Sequence, residues 1–214
     1  MNLFGLAPEH VASDSSGAIK TPSLSQSLLF GGIGFCAASL LVFATVAFAE
    51  RWMYQHMGLS GAYATWTILF IFLGGAVFIP LLVIRAHWWR FYILFTIAFL
   101  FYAIGWIGAY FTLRGKIAEW VASLAGSVLM GLILSLGFNA LRSSAKLIAI
   151  LFASNSVGYF LGDALNNAIG GKPGMLLWGV AYGLFLGAGL GAVLYFAQAS
   201  IRERLQAAVA TERL

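Results

Sequence analysis

Asn155, Tyr159, Asp163 and either Asn166 or Asn167 follow one another at three- or four-residue steps inside an otherwise apolar stretch of this chain. Residues so spaced share one face of a helix. A carboxylate, two amides and a phenol on one face could contact an ion, a proton or a small solute. The candidate polar path is therefore Asn155, Tyr159, Asp163 and Asn166. Asp163 lies 17 residues after Lys146, toward one end of the stretch, where a carboxylate costs less than at the centre of a bilayer. Pairing with Lys172, with the asparagines capping the helix end, is the simpler expectation for it. Asn155, between Ser154 and Ser156, is nearer the centre, and Ser127, Ser135 or Tyr102 could satisfy its amide. A clamp between helices is the expected role of that group.

Other reactive residue types are sparse. His10, His56 and His87 are scattered, and Cys36 is the single cysteine, so neither zinc spacing nor paired haem ligands arise. Gly58-Leu59-Ser60-Gly61 matches the Gly-x-Ser-Gly of intramembrane serine proteases, but the later apolar stretches carry no histidine to serve it. Neither a phosphate-binding loop nor a dinucleotide fingerprint is present. The expectation is a protein without catalytic residues, metal or cofactor.

The strongest spacing pattern belongs to small residues. Gly179, Gly183, Gly187 and Gly191 recur every four residues, as do Gly158 and Gly162 after Ser154, and Ser123, Ser127, Gly131 and Ser135. Each row makes a smooth strip on one helix face, where a second backbone can come close. Two expectations follow: a tight bundle of the last three helices within one chain, or a face that docks a second copy or another membrane subunit.

The elements that must position these residues follow from composition. Hydrophobic residues are 61% of the 214 and charged residues 9%, too few charges to cover a water-soluble fold, which carries about 25%. The net charge of +5 is not gathered into a nucleic-acid patch. A helix needs about 20 apolar residues to cross a bilayer. Six such stretches are present, at about 28–50, 62–84, 91–113, 119–141, 146–168 and 174–198. The predicted fold is all-α, a polytopic transmembrane helical bundle of six spans. It comprises a polar cytoplasmic tail over 1–27, a six-helix domain over 28–200 and a short amphipathic cytoplasmic tail over 201–214. Pro80, after Gly74-Gly75, is expected to kink or hinge the second span.

Basic residues set the orientation. With the N-terminus inside, Lys20, Arg85, Arg90, Arg142, Lys146, Arg202, Arg204 and Arg213 fall on the inner side, and Arg51, Arg114, Lys116 and Lys172 on the outer. The excess predicts both termini in the cytoplasm of a bacterial cell, with lipid as the main partner. Two function classes remain: a small-solute or ion transporter using the polar path, and a non-catalytic accessory subunit docking through the glycine strip.

Overall fold

The computed structural model describes residues 21–83 and 88–211. The tail over 1–20, with His10 and Lys20, and the loop over 84–87, with Arg85 and His87, lie outside the described residues. So do Arg213 and the side chains of Leu205 and Val209, on which the amphipathic reading of the last segment depends. The described residues are helical almost throughout: α1 Leu24–Phe78, α2 Trp88–Leu113, α3 Gly115–Gly137, α4 Ser144–Ile169, α5 Gly171–Ala197 and α6 Ala199–Thr211. Short 3-10 turns cover Ile79–Leu81 and Leu141–Ser143. Among the described residues, five helices are long and apolar enough to cross a membrane.

The first of these runs for 58 residues, Leu24–Leu81. At 1.5 Å per residue a straight helix of that length would reach roughly 87 Å, about three bilayer cores. It is not straight. Gly58 sits at φ 66° and ψ 179°, a conformation open essentially to glycine alone, and it breaks the helix into two arms. The arms fold back on each other. Trp66 donates from Nε1 to Thr45 Oγ1 at 3.1 Å, the rings of Phe35 and Phe70 stack at 5.7 Å, and Gly34 faces Val77. These contacts pair residues whose numbers sum to nearly the same value, as an antiparallel hairpin requires. The glycine of the protease-like tetrapeptide is thus the turn of this hairpin.

Where helix ends were expected at Glu50-Arg51, the first arm continues through residue 57. Nothing in Arg51-Trp52-Met53-Tyr54-Gln55-His56 disfavours a helix, and polar residues alone do not stop one. Ser23 starts the arm with a capping box: its Oγ accepts from the Gln26 N–H, and Gln26 Oε1 accepts from the Ser23 N–H. Pro80 does not kink a continuing helix. The α-helix ends at Phe78, the 3-10 turn holds Pro80, and Leu82 is extended.

The six segments close into a ring. The first arm packs on α5, α5 on α4, α4 on α3, α3 on α2, and α2 on the second arm, which returns to the first. Neighbours run antiparallel throughout, as Gly158 against Tyr182, Gly162 against Trp178, Gly131 against Ile148 and Gly126 against Tyr102 indicate. One end of the ring gathers Ser23, Phe138, Lys146 and Gln198, and the other gathers Gly58, Arg114 and Gly170. Aromatic side chains fill the core toward the first end: Phe35, Phe78, Phe91, Phe95 and Phe138 are fully buried.

Candidate functional site: a hydrogen-bonded core beneath an aromatic cavity

The glycine row of α5 faces the first arm of α1, where the expectation was α4 or a second protein. A Cβ on Gly191 would fall on the Ser27 carbonyl oxygen and one on Gly187 on that of Gly31. A Cβ on Gly183 would meet Ser39 and the Cys36 backbone, and one on Gly179 the Phe43 ring. The spacing specifies a close face without naming its partner, because any backbone with small residues in matching register can occupy it. Here Ser27, Gly31 and Ser39 supply that register. On α4, Gly158 and Gly162 face α5, and on α3 Gly131 faces Ile148 of α4. Ser123, Ser127 and Ser135 are buried, Ser135 bonding back to the Gly131 carbonyl at 2.6 Å.

Asn155 is completely buried near the middle of α4. Its Nδ2 donates to Ser123 Oγ of α3 at 2.8 Å, and its Oδ1 accepts from the Tyr102 hydroxyl of α2 at 2.7 Å. Tyr102 also meets the Tyr182 hydroxyl of α5 at 2.7 Å, and Ser123 meets Ser156 of α4 at the same distance. Five side chains from four helices therefore form one connected chain. Tyr102, named in advance among the partners of Asn155, is one; Ser127 and Ser135 are not, and Ser123 takes their place. With the amide as placed, the single Tyr102 proton goes to Asn155, so in the tyrosine pair Tyr182 is the donor. The Tyr182 oxygen then keeps free lone pairs and has no second proton to give.

The remaining path residues lie toward the Gly58 end. Tyr159, half-buried, packs its ring on Trp106 at 5.5 Å and Trp178 at 5.4 Å. Asp163 is half-buried. Lys172 does not pair with it; its ammonium lies over the Phe48 ring, 4.6 Å from the centroid. Asn166 sits where α4 meets the start of α5, its carbonyl accepting from the Gly170 N–H at 2.8 Å and its side chain against Gly174. The four path residues share a face of α4, but they do not form one continuous opening. Asn155 is sealed in the core, and Tyr159 is the one of the four that lines the aromatic cavity between the helices.

That cavity, of about 190 Å³, lies between the two arms of α1, α2, α4 and α5. Phe43, Trp66, Phe70, Trp106, Trp178 and the tyrosines Tyr63, Tyr102, Tyr159 and Tyr182 are among its walls, with Val42, Val46, Thr67, Phe99, Ala103 and Ile107 between them. Among the described residues, no charged side chain lines it. Searches of family models, curated proteins and solved structures find no match.

The chain's chemistry is thus read from its own geometry. The aromatic lining comes from five separated segments, none unusual alone, so the sequence carries no local signal for it. Gln198 was also missed. It is 2% exposed, accepts from the Val83 N–H at 2.9 Å, and donates to the carbonyls of Leu194 at 3.0 Å and Leu81 at 3.3 Å. Backbone groups of Leu81 and Val83, just past Pro80 where α1 ends, are thus met by this one amide, which ties that end to α5 at the Ser23 end of the ring. A buried glutamine just beyond a glycine-rich span, with a proline-ended helix elsewhere, is a signal legible only afterwards.

Proposed function

We propose that the chain crosses a bacterial plasma membrane six times, with both termini in the cytoplasm, and admits a small solute from the outside into the aromatic cavity. The break at Gly58 supports six crossings, since its two arms lie antiparallel and each is long enough to span. An even number returns the chain to the side it started from, and the excess of basic residues marks that side as cytoplasmic. The cavity then occupies the outer half of the bundle, with the Tyr102–Tyr182 pair as its floor near the middle of the membrane.

The observation that carries a solute rather than an ion is the cavity wall. A bare cation would lose its hydration there with no carboxylate to replace it, which is costly in a low-dielectric site. The Asn155 group, the natural relay for ions, is spent on holding helices together. An accessory role through the glycine strip is less favoured, because α1 already covers that strip.

Stopped-flow swelling of proteoliposomes with a panel of small neutral solutes tests the proposal. At least one solute is expected to enter faster than into empty vesicles, and Val46→Phe, which fills the cavity, is expected to remove the difference. Ion current abolished by Asp163→Asn, with no solute entry, would contradict it and favour an ion path along α4.

A further inference from the structure

We propose that the cavity is a binding site for a neutral, flat molecule of one or two rings bearing a hydroxyl, a phenol-like ligand. This rests on the cavity being reachable from the Gly58 end. Size sets the first limit. An apolar protein cavity of about 150 Å³ accepts benzene, so about 190 Å³ takes one substituted ring or a small fused pair. Wall chemistry sets the second. Phe43, Phe70, Trp106 and Tyr159 offer ring faces and edges, which favour a flat ring in stacked or edge contact.

Hydrogen-bond bookkeeping sets the third limit. Several of the polar groups on the wall are already spent inside the protein. Trp66 gives its N–H to Thr45, and Tyr102 gives its proton to Asn155. The Tyr182 oxygen, its proton given to Tyr102, can only accept. On the same helix, one turn away, the Trp178 indole N–H is fully buried with Nε1 against Gly162 of α4, closed to a ligand. A ligand hydroxyl complements the Tyr182 oxygen by donating to it. A carboxylate could not donate to Tyr182. A carboxylate or an ammonium would also bring a charge to a lining that holds no charged side chain among the described residues.

Binding to protein in nanodiscs, followed by calorimetry and by the shift in thermal unfolding, tests this with phenol, toluene, benzoate and benzylammonium as probes. Phenol is expected to bind saturably and at least tenfold more tightly than toluene, with neither ion binding. Tyr182→Phe is expected to bring phenol down to the affinity of toluene while leaving toluene unchanged. Val46→Phe and, from the opposite wall, Ala103→Phe should each abolish both. Equal affinities for phenol and toluene, tighter binding of benzylammonium, or a lipid retained in native mass spectra of the wild type but not of Ala103→Phe would each overturn the ligand class. Solute entry with no phenol binding overturns this inference alone; absence of both removes the proposed function as well.

Discussion

The two seams that α1 makes are built from different materials. Its first arm meets α5 backbone to backbone along Gly183, Gly187 and Gly191, with Gly179 closed by the Phe43 side chain, leaving no room for a single added carbon. Its second arm meets α2 through side chains: Gly75 against the Tyr92 ring and Gly74 against Phe95 toward the Ser23 end, then only rings, Tyr63 against Phe111 at 5.8 Å, toward the Gly58 end. Glycines draw two helices together until their backbones touch. Aromatic rings hold them apart, and where rings meet edge to face they leave space. The cavity lies between the ring-built seam and the Phe43–Tyr182 end of the glycine seam. In a bilayer, where apolar side chains gain nothing by leaving lipid for one another, that difference in packing decides which seam is closed.

The comparison can be broken most severely at the first seam. Gly187→Leu should drive a side chain into the Gly31 carbonyl, forcing the helices apart. Overpacking that reaches backbone is expected to exceed the usual 1–3 kcal/mol, so about 3 kcal/mol or more is the expected loss. Recovery of monodisperse protein from detergent should fall sharply. Asn155→Leu acts on the joint between the seams. It leaves Tyr102 and Ser123 buried with fewer partners and is expected to cost about 1–3 kcal/mol, read as a lower midpoint in a thermal unfolding scan. Gln198→Leu strips partners from Val83 N–H and Leu81 C=O and is expected to cost about 1–2 kcal/mol by the same measurement.

Within the hydrogen-bonded core, Tyr102→Phe removes two bonds and Tyr182→Phe one. At about 0.5–1.5 kcal/mol per bond, the first variant should be the less stable of the two. A loss for Tyr182→Phe as large as that for Tyr102→Phe would contradict this bonding pattern. The mildest change sharpens the contrast among glycines. Gly108 of α2 has no atom within 4 Å of where a Cβ would stand, so Gly108→Ala should be neutral or stabilising by up to about 1 kcal/mol.

Much of the helical architecture was readable because lipid imposes one rule, that long apolar runs become helices. Their ends were less so. Interfacial polar residues such as Glu50 and Arg51 look like loop punctuation yet stay helical, and the true break is a single glycine whose backbone angles no composition reports. Of the candidate site, the polar face of α4 was visible through its spacing. The partner helices were not, because Tyr102 and Ser123 lie 53 and 32 residues away from Asn155 and meet it only once the ring has closed. Small-residue rows announce a close contact but leave its partner open, and aromatics spread over five segments announce nothing until they converge.

Cysteine labelling tests the six-crossing ring most directly. Ser25, Ser60, Lys172 and Arg204 are exposed positions, two at each end of the ring, and each would be changed singly to cysteine in a Cys36→Ser background. A membrane-impermeant thiol reagent added to intact cells should label the variants at 60 and 172, and reach those at 25 and 204 only after permeabilisation. Labelling of 25 from outside while 204 stays protected would mean an odd number of crossings, and the hairpin at Gly58 would not span the membrane.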